Sequence, residues 1–337
     1  MIIQVKPDIS DSQKDKIILE ANQSGYKITE VKTQLSTYLI GIGKANFDIR
    51  KLGLQEGIQD IHIVSDDYKL VSKKWKAKPT SIDLGDGVRI KDGDMALMAG
   101  PCSIETEEQI VKTIEHLKAC GIQIMRGGVY KPRSSPYAFR GLGIDGLKLW
   151  YQHAKAAGIK IVTEVMQVSQ IEEMYDYVDI YQVGARNTQN FNLLDELGRV
   201  DKAVMIKRGI SGTIEELLQS AEYVFSGGNE KLILCERGIR TYEKASRNTL
   251  DLNAVPILKH KSHLPVVVDP SHGIGIRQFV PQMALAGVMC GADGIIFETH
   301  ETPDLAYSDG QQTLDFDQST KLVKQVKEAF ELRKSFL

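Results

Sequence analysis

The spacing of apolar positions changes part-way along the chain. Up to about Val64, short apolar runs alternate with one-sided helical patterns. Ile2 to Lys6 reads as a strand, and Ser10 as the N-cap of a helix that carries Ile17, Ile18 and Ala21 on one face and closes at Gly25. Tyr26 to Val31 and Thr37 to Ile42 read as strands, Ile49 and Leu52 mark a second helix, and Ile58 to Val64 supplies a last strand. That βαββαβ order is the order of a ferredoxin-like module. The charged, Pro-terminated run from about Ser65 to Lys78 suits a connector, and Leu84-Gly85-Asp86-Gly87-Val88 suits a hairpin.

Beyond about Met95 the pattern becomes one of strands alternating with amphipathic helices, the signature of parallel α/β structure. Strands are expected at Met95 to Ala99, Gln123 to Arg126, Lys160 to Thr163, Ile180 to Val183, Val204 to Lys207, Leu232 to Cys235, Val266 to Asp269 and Gly294 to Glu298. Helices are expected at Glu107 to Ala119, Gly146 to Ala157, Ile214 to Phe225, Phe279 to Ala286 and Gln318 to Lys334. Eight such units fit a closed (β/α)8 barrel better than an open doubly wound sheet. The expected organisation is therefore a module over 1–70, a linker and hairpin over 71–93, and a barrel over 94–337.

The 337 residues allow one large core and a smaller accessory unit. A formal net charge of -2 argues against a general nucleic-acid binder but leaves room for a locally basic pocket. The sequence contains no apolar run near the roughly 20 residues of a membrane span, and it opens without secretory-signal architecture, so a soluble cytoplasmic protein is expected. Cys102, Cys120, Cys235 and Cys290 are too sparse for a disulfide framework, and Cys120 and Cys290 read as small buried residues.

Chemistry concentrates at the strand ends. After the second, fourth, fifth and sixth barrel strands come Arg126, Lys131 and Arg133, then Arg186, Lys207 and Arg237. In a barrel these cations share one mouth, where they repel one another unless anions occupy it. Arginine forks suit phosphate and carboxylate, while lysine is a mobile charge and proton donor. Gly127-Gly128 reads either as a turn or as a place where backbone amides approach a ligand. Cys102, His272, Glu298 and Asp309 fall near the same mouth and form a mixed soft and hard donor set that admits Mn, Fe, Co or Zn. His62, His116, His153, His260, His263 and His300 lack such company and read as structural or solvent-facing.

These stretches resemble a known family. AGPCS (99–103), RGGVYKPRSSPYAFRGLG (126–143), QVGARNTQNF (182–191), IKRG (206–209), LCERGIRTYEKASRNTLD (234–251), VDPSHG (268–273) and SDG (308–310) are similar to those of type I 3-deoxy-7-phosphoheptulonate (DAHP) synthases, β subgroup. The resemblance implies a metal-dependent transferase that condenses phosphoenolpyruvate with erythrose 4-phosphate in the first step of the shikimate pathway, toward chorismate and the aromatic amino acids. It implies Cys102, His272, Glu298 and Asp309 as metal ligands, and Arg126, Lys131, Ala185, Arg186, Lys207 and Arg237 around phosphoenolpyruvate. Lys131, Pro132, Arg133, Ser134 and Asp309 would meet the sugar phosphate, with Ser134 where many relatives carry Thr. Lys131, Glu164, Lys207 and His272 would take catalytic parts, Lys131 protonating the aldehyde oxygen and Glu164 orienting water.

The same resemblance makes the amino-terminal module an ACT-like regulatory domain. It implies feedback inhibition by tyrosine or phenylalanine in a homotetramer, with the module closing over the barrel mouth and Gly41, Gly43 and the 65–78 connector as hinges. The alternatives are a 3-deoxy-octulosonate 8-phosphate synthase, a metal-dependent hydrolase and a purely sensory protein. Relatives of the first carry a KANR-like loop where this chain has Lys131-Pro132-Arg133-Ser134; the second has no use for six cations at the mouth; the third has none for an intact metal set.

Overall fold

The structure, a computed structural model, describes residues 1–43, 49–131 and 137–336. The amino-terminal module comprises β1 (Ile2–Val5), α1 (Asp11–Gln23), β2 (Lys27–Lys32), β3 (Thr37–Ile42), α2 (Ile49–Gly53) and β4 (Ile58–His62). Its sheet is antiparallel in the order β2-β3-β1-β4. Ser10 caps α1 through a reciprocal box with Gln13, and Gly25 turns the chain at φ +86°. Strand alternation then divides the apolar residues. Ile3, Val5 and Leu39 pack under Ile17 and Ala21 of α1 and Leu52 of α2, while Ile2, Tyr38 and Ile40 face the barrel.

A hairpin of β5 (Ser81–Asp83) and β6 (Arg89–Lys91) precedes the barrel strands β7 (Ala96–Gly100), β8 (Ile124–Arg126), β9 (Lys160–Val165), β10 (Ile180–Val183), β11 (Ala203–Lys207), β12 (Leu232–Glu236), β13 (Val266–Val268) and β14 (Gly294–Glu298). These eight strands close into a parallel barrel. Around it run α3 (Glu107–Cys120), α4 (Gly143–Ala156), α5 (Ser169–Met174), α6 (Phe191–Leu197), α7 (Ile214–Ser226), α8 (Ala254–Lys261), α9 (Pro270–Ile274), α10 (Val280–Met289) and α11 (Phe316–Lys334). Helices α5, α6, α8 and α9 were not read from the sequence, because each is too short to establish a 3.6-residue period.

Inside the barrel, alternate residues build layers. Met98, Ile124, Val162, Ile180, Met205, Ile233, Val267 and Ile296 form an apolar interior, and Ile82, Val88 and Ile90 of the hairpin join it from below. Lys160, the first residue of β9, reaches Asp86 in the hairpin turn at 2.7 Å. The hairpin thus plugs the amino-terminal end, and the carboxyl end is left as the mouth.

The 65–78 connector packs against the barrel instead of running free. Tyr68, Leu70, Val71 and Trp75 are buried, and the Glu222 carboxylate accepts the backbone N–H groups of Lys69, Leu70 and Val71 at 2.8, 2.8 and 3.0 Å. The charged neighbours stay outside while these four side chains turn in. Gly41 pairs with Ile28 in the β2–β3 ladder and donates its backbone N–H to Met1 O at 2.9 Å. In this conformation the module does not cover the mouth. Thr33 Oγ1 and Tyr38 OH donate to Glu230 at 2.5 and 3.2 Å, and Glu230 lies just before β12, toward the plugged end. Edge-on rings of Tyr38, Trp75 and Phe225 fill the joint.

Candidate active site

The alternation that fills the barrel also builds the site. Two residues beyond the inward apolar position on a strand lies a polar one: Arg126 after Ile124, Glu164 after Val162, Gln182 after Ile180, Lys207 after Met205, Asp269 after Val267 and Glu298 after Ile296. Period two places them all on the inner face at the open end.

Three of the proposed metal ligands converge. One donor atom each from Cys102, Glu298 and Asp309 lie within 4.8 Å of one another, and the Cys102 thiol donates to Asp309 Oδ2 at 3.4 Å. Gly100, two residues before Cys102, lets the end of β7 lie against β8. Its φ is +152°, and a Cβ there would collide with the carbonyl oxygen of Arg126. Asp309 itself sits in the left-handed region at φ 51°, a strained conformation for a non-glycine residue. His272 stands outside this tight group but faces it, with Nε2 3.5 Å from Glu298 Oε1.

Asp269 fixes His272 from behind. Its Oδ1 accepts the His272 backbone N–H at 3.0 Å, capping α9, and its Oδ2 meets His272 Nδ1 at 2.8 Å and Lys207 Nζ at 2.5 Å. A carboxylate on Nδ1 places the proton there and leaves the Nε2 lone pair toward Glu298. A soft sulfur, an imidazole nitrogen and two carboxylates that crowd one buried space fit a divalent cation.

Protonation agrees with that set. Burial pushes the Cys102 thiol up to about 11, with Glu298 adding and Lys131 opposing; a bound cation would reverse this. Burial also raises the cost of charge on Asp309, yet Arg247, His272 and Lys131 hold it down at about 2. Glu298 is likewise lowered against burial, by His272 and Arg126. His272 is lowered by burial, which Asp269 and Glu298 only partly offset, so the neutral ligand form is favoured.

Beside this group lies a cavity of ≈ 100 Å³ lined by Lys131, Glu164, Ala185, Arg186, Lys207, Arg237 and Arg247, with Arg126, His272 and Asp309 at its wall. Lys131 spans both regions: its Nζ donates to Cys102 O at 2.8 Å and to Cys102 Sγ at 3.1 Å. Arg126 Nη1 is committed to Pro101 O at 2.8 Å and Glu298 Oε1 at 3.0 Å. Arg186 is exposed and makes no hydrogen bond or ion pair among the described residues, and Arg237 reaches only Gly238 O, at 3.5 Å. Burial lowers the Arg237 pKa, and nearby Arg247 lowers it further. Burial raises Glu164 although Lys131, Lys207 and Arg186 oppose it, as suits a group that exchanges protons. Gly184 gives Glu164 room, because a Cβ at 184 would run into its carboxylate. Pro132, Arg133 and Ser134 lie outside the described residues.

Sequence reasoning passed over Asp269, Gln182, Arg247 and Gln312. Asp269 and Gln182 were within reach, being two residues beyond Val267 and Ile180 on the inward face. Arg247 and Gln312 come from long loops, and no periodicity marks them. Among the other histidines, His263 is structural, buried between Thr80 Oγ1 and Leu70 O at 2.8 Å each.

The DAHP synthetase I family matches residues 74–335, which include the hairpin and the whole barrel. The chain belongs to that family. It is therefore an enzyme, of the DAHP synthase class. A phospho-2-dehydro-3-deoxyheptonate aldolase of Thermotoga maritima is 44% identical over 328 residues, covering 97% of this chain and 97% of its own length. A crystal structure of that enzyme from Thermotoga maritima superposes with a TM-score of 0.79 at 42% identity, covering 98% of this chain and 97% of that one. A 2-dehydro-3-deoxyphosphooctonate aldolase of Geobacter sulfurreducens is 30% identical over 256 residues, covering 70% of this chain and 92% of its own length. Among the described residues no helix is long and apolar enough to cross a membrane.

Proposed function

We propose that the chain condenses phosphoenolpyruvate with D-erythrose 4-phosphate and water, giving 3-deoxy-D-arabino-heptulosonate 7-phosphate and phosphate, in the cytoplasm as the first step of the shikimate pathway. The observation that carries this reading is Lys131. It lines the cationic cavity and also bonds Cys102 of the metal-ligand group, so one amine serves an anion site and a polarising site together. A divalent ion held by Cys102, His272, Glu298 and Asp309, whether Mn, Fe, Co or Zn, would supply Lewis-acid polarisation of the aldehyde.

The remaining work falls to the chain's own groups. Arg186, Arg237 and Lys207, with Arg126 behind them, receive the phosphate and carboxylate of phosphoenolpyruvate without reorganising. Lys131, Pro132, Arg133 and Ser134 receive the sugar phosphate. The methylene carbon then bonds to the aldehyde carbon as Lys131 protonates the aldehyde oxygen. Water oriented by Glu164 and Lys207 attacks the cationic enol carbon. The phosphohemiketal collapses by C–O cleavage and phosphate leaves.

For the amino-terminal part we read an ACT-like, ferredoxin-like regulatory module over 1–70, a linker and hairpin over 71–93 and the catalytic barrel over 94–337, the β-subgroup arrangement. The order β2-β3-β1-β4 with α1 and α2 on one face supports the module's assignment. Tyrosine or phenylalanine is its proposed effector and a homotetramer the proposed assembly.

The test is phosphoenolpyruvate consumption after chelation and Mn2+ addition, with erythrose 4-phosphate or arabinose 5-phosphate, with and without each amino acid. Metal-restored turnover with erythrose 4-phosphate supports the reading. Turnover with arabinose 5-phosphate alone would move the chain to the octulosonate chemistry, and turnover with neither would defeat both.

A further inference from the structure

We propose that Gln312 is a positioning residue that holds the two metal-binding carboxylates in register, and that Arg247 anchors the far end of its amide while it does so. The inference rests on the metal-dependent reading above. Gln312 is fully buried, and both ends of its amide are engaged. Nε2 donates to Glu298 Oε2 at 2.6 Å, and Oε1 accepts from Arg247 Nη1 at 2.6 Å. A guanidinium can only donate, so the end of the amide facing Arg247 is the oxygen and the NH2 falls on Glu298.

That bond restrains Glu298 through Oε2 and leaves Oε1 facing His272 Nε2 at 3.5 Å. The same residue is tied to the second carboxylate. Gln312 closes the turn that begins at Asp309, donating its backbone N–H to Asp309 O at 3.1 Å, and Arg247 Nη1 lies 3.4 Å from Asp309 Oδ2. The Glu298 and Asp309 carboxylates, with donor atoms within 4.8 Å of one another, repel without a cation between them. A neutral amide keeps them converged without changing the charge of the site. A carboxylate at this position would repel Glu298, and an ammonium would compete with the metal.

The experiment is Mn2+ titration of the metal-stripped full chain by electron paramagnetic resonance, with thermal unfolding of each metal-free protein. Wild type is compared with Q312M, which keeps the length of the side chain and removes the donor, and with R247M, which removes the guanidinium that anchors the amide oxygen. Loss of a group that supports a metal ligand typically weakens binding about 10- to 100-fold. The Mn2+ Kd of Q312M is expected to rise within that range and that of R247M in the same direction, with metal-free melting unchanged. Uptake by Q312M equal to wild type overturns the inference, and so does a loss accompanied by an equal fall in metal-free stability. Should Q312M not fold, R247M carries the test, and an unchanged Kd there overturns the inference. If wild type takes up no Mn2+, the metal-dependent reading falls and this inference with it.

Discussion

At the scale of single residues, the site depends on side chains held by partners behind them. Glu164 is the sharpest case, because its carboxylate occupies the space above Gly184 and a Cβ there would displace it. A G184A substitution is therefore expected to lower kcat by about 10²-fold, the scale of one lost acid–base contribution, while the KM for phosphoenolpyruvate moves little. Initial-rate kinetics on the purified variant check this. Asp269 serves His272 and Lys207 with one oxygen, Oδ2. D269N loses the negative charge and keeps one acceptor oxygen, so it can hold either the His272 backbone N–H or the His272 and Lys207 side chains but not both sets, and Mn2+ affinity should fall about 10- to 100-fold, read by titration of the metal-stripped protein.

At the scale of elements, the connector behaves as part of the barrel. Glu222 of α7 receives three successive backbone N–H groups, and E222A leaves them without a protein acceptor. The expected loss is about 2 to 3 kcal/mol in urea unfolding, with new proteolytic cleavage between Ser65 and Lys78. His263 sits in the same seam. Leu70 O can only accept, so Nε2 carries the proton and Nδ1 accepts from Thr80 Oγ1. Burial holds its pKa down to about 3, with the Lys76 charge adding to the effect. The folded value lies below the unfolded one of about 6.5, so the neutral form is favoured by folding. Its contribution is complete above about pH 6.5 and is lost as pH falls toward 3. Between pH 7 and pH 5 the stability of wild type should drop about 2 kcal/mol more than that of H263Q, measured by urea unfolding at each pH.

At the scale of the whole molecule, the packing of residues 65–75 decides where the chain can be cut. Tyr68, Leu70, Val71 and Trp75 share a core with Phe225 and Leu258 of the barrel. A protein beginning at Ser65 is expected to keep catalysis and, on the regulatory reading proposed above, to lose aromatic amino acid inhibition. One beginning at Val71 forfeits the burial of Tyr68 and Leu70 and the Lys69 and Leu70 donors to Glu222, and should be less stable by about 3 kcal/mol or more. Melting curves and turnover of the two truncations distinguish them. Removal of the module also leaves Glu230 without Thr33 and Tyr38, so some loss of stability is expected in both.

The sequence by itself determined the local periods. Period two set the strands and, through Ile124, Val162, Met205 and Ile296, which polar residue on each would face inward; Ser10 and Gly25 marked helix ends through capping and a left-handed turn. Tertiary structure decided what those periods cannot encode. The inward turn of Tyr68 and Trp75 within a charged run depends on a cavity made by α7 and α8, and the contact of Arg247 and Gln312 with Asp309 and Glu298 joins loops far apart in the chain. Such contacts arise only once the barrel has closed. Burial is a property of the assembled core, not of any stretch of residues.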